Sequence, residues 1–189
     1  MYDNSFNRHF ISKQQVIDYA QRTIENSPLY LDTETTGLDF NDEIIEIAIV
    51  DSSGKSLFDS FIRPIRQIPP SATAINHITN EMVSNSPTWV EIWPVVKNIL
   101  RGKLIGMYNA EFDTRMILQS LRLNNIPDQD KFRAFDIMKV YSDFMKTDRR
   151  FRLEQAGRNL GIPIPNSHRA LDDTLLTRAV FHSIAGVSY

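Results

Sequence analysis

Residues 29–38, LYLDTETTGL, begin with three apolar residues and set Asp32 and Glu34 two positions apart ahead of a Thr-Thr-Gly turn. Side chains two apart in a strand project from the same face of a sheet, so LYLDTE (29–34) presents both carboxylates on one side. Two acids side by side repel, and a solvated edge strand is the plain explanation of such a pair. Leu29 and Leu31 before it and the turn after it argue instead for a strand near the core with its acids at a functional rim. Burying ionised carboxylates costs several kcal/mol each unless a cation compensates, which points to a divalent metal.

The neighbouring segments complete a sheet. EIIEIAIVD (43–51) and SLFDSFIR (56–63) read as strands joined by a tight turn at Ser53-Gly54, giving an antiparallel meander with the first strand. Upstream, residues 12–26 open with Ser12 and Gln15 in a capping-box arrangement and continue with Val16, Tyr19, Ala20 and Ile24 at helical spacing. Downstream, PIRQIPPSATAINH (64–77) is proline-rich and reads as irregular. In TWVEIWPVVKNIL (88–100), Trp89, Ile92, Val96 and Ile99 mark an amphipathic helix in which Pro94 is a candidate kink. KLIGMY (103–108) is a short strand, AEFDTRMILQSLRL (110–123) a helix, FRAFDIM (132–138) another strand, and the remainder helical. A meander followed by alternating helix and strand predicts an α/β fold with a mixed sheet covered by helices. The expected organisation is an N-terminal helical extension over residues 1–27 and one domain over 28–189.

At 189 residues with 42% hydrophobic content, such a domain buries roughly 70% of the surface its unfolded chain would expose. The sequence has no cysteine, so a metal here must be held by oxygen or imidazole nitrogen, which favours magnesium, manganese or calcium over structural zinc. No apolar run approaches the roughly 20 residues that cross a bilayer, and MYDNSFNRHF lacks a secretory core; the expectation is a soluble, cytoplasmic protein with no membrane contact. The net charge of -2 runs against a nucleic-acid partner. Its distribution weakens that objection, because residues 1–100 hold seven Lys or Arg against thirteen Asp or Glu and the rest hold fourteen against ten. Two bound divalent cations would also reverse the sign of an acidic site.

Two further segments carry chemistry. Asp113 lies in MYNAEFD at a strand-to-helix junction, where ligand sites form in helix-covered sheets, although an acid in a first helical turn is favoured by the macrodipole alone. Asn109 could likewise be a turn or cap residue. In SHRALDDT, His168 precedes Asp172 and Asp173; a histidine, with an ordinary pKa of roughly 6.5, is a candidate proton acceptor. Lys146, Arg149, Arg150 and Arg152 form a basic stretch that reads either as a solvated loop or as a phosphate track.

DTETTG, the N-x-x-x-D of Asn109 and Asp113, and the H-x-x-x-x-D of His168 and Asp173 resemble the three motifs of the DEDDh, or DnaQ-like, 3′-5′ exonucleases. INHITNEMV, SPTWVEI and RLEQAGRNLGI resemble that family's connecting segments, so the likeness covers about residues 28–183. It implies an RNase H-like five-stranded mixed sheet flanked by helices. It also implies two Mg2+ (or Mn2+) ions on Asp32, Glu34, Asp113 and Asp173, with His168 taking a proton from the attacking water. By the same resemblance, the backbone around Thr35 and the Leu38 side chain hold the terminal nucleotide, Phe112 touches a base, and Asn109 contacts substrate or braces the site. Core packing is the alternative for Leu38 and Phe112. Tyr108 departs from the histidine of many relatives.

In the Asp172-Asp173 doublet, helical periodicity from His168 would select Asp172, and the family spacing selects Asp173. Pro163, Pro165 and Ser167-His168 look like an entry loop, which favours Asp173. The DTETTGL form resembles proofreading-type members and favours a DNA 3′ end over RNA. The competing readings are RNA trimming, as in RNase T and oligoribonuclease, a non-catalytic end-binding protein, and an RNase H-like endonuclease. Activity alone, as an oligomer, or in trans beside a polymerase or other replication or repair protein all fit, with the N-terminal helix as a docking element.

Overall fold

The computed structural model describes residues 12–127, 132–164 and 168–188. Helix α1 (Lys13–Glu25) starts with the anticipated capping box: Gln15 N–H donates to Ser12 Oγ at 3.3 Å and Ser12 N–H to Gln15 Oε1 at 3.0 Å. Strands β1 (Leu29–Thr35), β2 (Ile44–Val50) and β3 (Ser56–Phe61) form the antiparallel meander. The Asp51 carboxylate closes the β2–β3 turn by accepting from Ser53 and Lys55, and Gly54 takes a φ of 89° that only glycine adopts without strain.

The proline-rich tract is not irregular throughout. It contains α2 (Pro70–Asn76), and α3 (Asn80–Val83) follows, capped by the Thr79 hydroxyl. Proline suggested a break, but Pro70 occupies the first helical position, where the missing N–H costs nothing and the fixed φ suits a helix start. Seven residues are also too few to display a helical period. Helix α4 (Trp89–Leu100) runs through Pro94, and β4 (Leu104–Met107), α5 (Ala110–Leu123) and β5 (Arg133–Asp136) complete the alternation. FRAFDIM ends as a strand at Asp136, whose side chain accepts from Met138 and Lys139 N–H and starts α6 (Ile137–Phe144). Helices α7 (Leu153–Asn159) and α8 (Ala170–Ala185) follow.

The sheet order is β3-β2-β1-β4-β5, with β1 antiparallel to β2 and parallel to β4. This is the five-stranded mixed sheet expected of an RNase H-like fold. Strand β1 is central and carries the first two acids. Leu29 and Leu31 pack with α4 and α5 on one face, while Tyr30 packs with α1, α6 and α8 on the other. By alternation Asp32 and Glu34 lie on the α8 side. No helix among the described residues is long and apolar enough to cross a membrane.

Residues 1–11 of the anticipated extension lie outside the described part, but α1 does not stand apart. Val16, Tyr19 and Ala20 are buried in the same cluster as Phe181 and Ile184 of α8, with the Tyr19 and Phe181 rings edge to face at 6.5 Å. Any docking role would therefore fall to the polar face of α1. Deleting residues 1–27 should abolish cooperative thermal unfolding, because it bares the apolar face of α8; a truncated chain melting within a few degrees of the full one would make α1 dispensable.

Candidate active site

The site lies where the end of β1 meets the first turns of α5 and α8. Asp32 and Glu34 are half-buried on β1, and β2 sets Glu46 directly opposite Glu34. Asp113, in the first turn of α5, is only 2% exposed and accepts a 2.8 Å hydrogen bond from the Thr33 hydroxyl. Asn109 introduces that helix with a left-handed φ of 66°, and its N–H donates to Asp136 Oδ1 at 3.2 Å. Its side chain makes no capping hydrogen bond, so a cap does not account for this asparagine.

Helix α8 begins at Ala170, with Arg169 as its N-cap residue, so His168 precedes the helix and Asp172 and Asp173 fall in its first turn. Of the anticipated entry loop, residues 165–167 lie outside the described part. His168 is exposed with a φ of 65°, and its N–H donates to Asp173 Oδ2 at 3.2 Å. Glu34, His168 and Asp173 each offer a ligand atom, all within 4.8 Å of one another.

The electrostatics follow from crowding. Burial, then the charges of Asp113, Asp173, Glu34 and Glu46, holds the Asp32 carboxyl well above the usual carboxylate range. Burial likewise pushes Glu34 up to about 8, with Asp173, Glu46 and Asp113 adding to it. Asp113 rises to about 7 through burial, against the Thr33 hydrogen bond, and Asp173 to about 6 through burial, against the His168 N–H. A carboxyl pushed up by burial is returned to its charged form by a positive charge placed beside it. Carboxylates beside an imidazole suit a hard divalent cation; Glu34, His168 and Asp173 are the ligand-capable groups within 4.8 Å of one another, and Asp32 and Asp113 are the neighbouring carboxylates that could add to them.

Around these groups, the turn after β1 is held in one shape. Thr35 is buried, with its hydroxyl donating to the Gly37 carbonyl and its own carbonyl accepting from Asn76 Nδ2 at 3.2 Å. At Gly37 an added Cβ would stand 2.5 Å from Asp42 Oδ2, which explains the glycine. From α5, Arg115 donates to the Leu38 carbonyl at 3.2 Å, Gln119 to those of Asp39 and Asp42, and Arg122 to that of Phe40. Leu38 is 73% exposed on this braced loop, so it is not a core residue. Phe112 is half-buried against the α4–α5 side of the core, with the Arg115 guanidinium 5.4 Å from its ring centre. Tyr108 donates to the Phe151 carbonyl at 3.0 Å, tying the end of β4 to the exposed basic stretch.

Three residues were not singled out in the sequence. Asn76 ends α2 and braces Thr35, inside the tract read as irregular. Glu46 and Arg169 form an ion pair at 2.8 Å, and the Glu46 side chain is almost wholly buried. An acid inside the apolar run IIEIAIV was the available signal, since a buried carboxylate requires a partner.

Comparison with known proteins agrees with this arrangement. Residues 29–181 match the RNase_T family, described as Exonuclease. An uncharacterised exonuclease, CP81, of Escherichia phage 186 is 32% identical over 93% of this chain and 96% of its own length. The DNA polymerase III epsilon subunit of Treponema pallidum is 32% identical over 79% of this chain and 72% of its own length. Among solved structures, Exonuclease X in complex with 5′ overhanging duplex DNA superposes with a TM-score of 0.63 at 28% identity, covering 84% of this chain and 90% of that one. With the family matched over residues 29–181 and the acids of three segments gathered at one sheet end, the chain belongs to the DnaQ-like, DEDDh-type exonucleases and is a 3′-5′ exonuclease.

Proposed function

We propose that the protein releases nucleoside monophosphates one at a time from DNA 3′ ends by hydrolysis, with two Mg2+ (or Mn2+) ions on Asp32, Glu34, Asp113 and Asp173. The observation that carries this reading is the approach of Glu34, His168 and Asp173 within 4.8 Å, on the strand face that also holds Asp32. When bound, the cations supply charge neutralisation at the phosphodiester and lower the pKa of an attacking water. His168, exposed beside the carboxylates, takes the proton from that water at an imidazole nitrogen. Leu38, held out on its braced loop, packs against the terminal nucleotide together with the backbone around Thr35. Phe112 offers its ring to a base, Asn109 offers an amide free of capping duty, and the basic stretch tied down by Tyr108 lies along the incoming strand.

DNA is the proposed substrate by likeness to Exonuclease X, solved with duplex DNA, and to a polymerase III subunit. The second likeness makes a polymerase or another replication or repair protein, acting in trans, the proposed partner.

Incubated with magnesium, 5′-labelled single-stranded DNA and mismatched duplex should shorten as single-nucleotide ladders, and excess EDTA should stop the reaction. Faster shortening of RNA of the same sequence would reassign the substrate, full activity in EDTA would remove the metals, and cuts in circular single strands would exclude a purely exonucleolytic enzyme.

Substitutions separate the roles. Asp32→Ala should abolish turnover with a melting temperature no lower than wild type, since it removes a buried like charge, and His168→Ala should lower turnover roughly 100-fold, as expected for a lost general base. Asp173→Asn should nearly eliminate magnesium-dependent cleavage, whereas Asp172→Asn, which alters a first-turn acid worth at most about 1 kcal/mol to the helix, should stay within a few-fold of wild type. The reverse ranking of the two aspartates would shift the third motif by one residue.

A further inference from the structure

Glu46 stands across the strand pair from Glu34 and, by proximity alone, would count as one more metal ligand. Its hydrogen bonds exclude that. Arg169 Nε donates to Oε1 at 3.1 Å and Oε2 at 3.3 Å, Arg169 Nη2 to Oε1 at 2.8 Å, and the Ala170 N–H to Oε2 at 3.0 Å. Three N–H groups point at the two Glu46 oxygens, the Arg169 Nε–H being shared between both, and a carboxylate paired in this way has little left to offer a cation. Glu46 is therefore committed to the first residues of α8.

What that commitment fixes is the segment around Arg169. This residue is the N-cap of α8, His168 precedes it, and its carbonyl accepts the Asp173 N–H at 2.9 Å. Its guanidinium also lies 5.0 Å from the centre of the Phe61 ring on β3. One side chain thus clamps to β2 and β3, while the backbone on either side carries the two site residues of the third motif. An ion pair with a buried carboxylate and a half-exposed guanidinium adds little net stability, because desolvation and solvent screening offset its attraction, so position is the better explanation for keeping one here.

We propose that Arg169, locked by Glu46, is a positioning residue that sets the His168 imidazole against Glu34 and Asp173, an inference resting on the general-base reading of His168. A planar fork donating to both oxygens fixes orientation as well as distance, and an ammonium group cannot reproduce it. Displacement of a reacting group by about 1 Å costs on the order of 100-fold in rate.

The test is a double-mutant cycle in the full chain, with magnesium and 5′-labelled single-stranded DNA. Arg169→Lys keeps the charge and loses the fork; Glu46→Gln keeps the shape and loses the charge. Each should lower kcat by roughly 100-fold, with KM, and Mn2+ affinity measured by calorimetry on the protein alone, within about threefold of wild type. Combined with His168→Ala, each should fall no further than about threefold below His168→Ala alone, because residues acting through one group are not additive. Losses that multiply, wild-type turnover in Arg169→Lys, or an equal loss of Mn2+ affinity would overturn the proposal. Wild-type turnover in His168→Ala would instead remove the general-base reading, and the proposal with it. A melting curve for each variant separates these outcomes from unfolding, and Arg169→Lys, at a side chain 44% exposed, is the milder change.

Discussion

Withdrawal of neighbouring carboxylates from water is the constraint on which the rest of this structure depends. Asp32, Glu34, Asp113 and Asp173 are each held above the usual carboxylate range, burial being the largest cause in every case. Such a cluster opposes folding unless protons or cations relieve it. The surrounding architecture restrains it from three sides: β1 holds two of the acids at fixed spacing, and α5 and α8 each deliver one from a first turn. Helix N-termini suit this task, since their partial positive charge favours nearby anions.

The fifth acid behaves differently, and the difference sorts ligand from scaffold. Glu46 has an arginine and a backbone N–H on its oxygens, whereas Asp32 and Glu34 are crowded by other acids that raise them further. A carboxylate already paired with a guanidinium has little to offer a cation. Polar groups outside the cluster brace it in the same manner: Asn76 holds Thr35, Asp136 holds Asn109, and Thr33 holds Asp113. Catalytic groups need such support, because their geometry must be in place before substrate arrives.

Local pattern made much of this legible. The meander and the helix capped by Ser12 and Gln15 could be read from spacing of a few residues, whereas Asp32, Glu34, Asp113, His168 and Asp173 were brought together as a set only by the family resemblance. Pairings across the sheet could not. Glu46 and Ala170 are 124 residues apart, and no local periodicity reveals that they touch. Helix α2 was obscured because proline breaks helices in their interior and starts them at the first turn, and composition does not distinguish the two. Leu38 was ambiguous for a related reason: an apolar residue in a loop is compatible with core or surface until α5 is seen bracing the loop carbonyls. The apolar stripe of α1 was visible, but its partner, α8, lies at the far end of the chain.

The central claim is that the unpaired acids exist to hold divalent cations while Glu46 does not. A crystal structure of the protein soaked with Mn2+ and a nucleoside monophosphate, with anomalous differences recorded at the manganese edge, tests it most directly. The account predicts manganese bound by Asp32, Glu34, Asp113 and Asp173, with Glu46 still on Arg169. Manganese ligated by Glu46 with Arg169 displaced, or none among the four acids at saturating concentration, would contradict it.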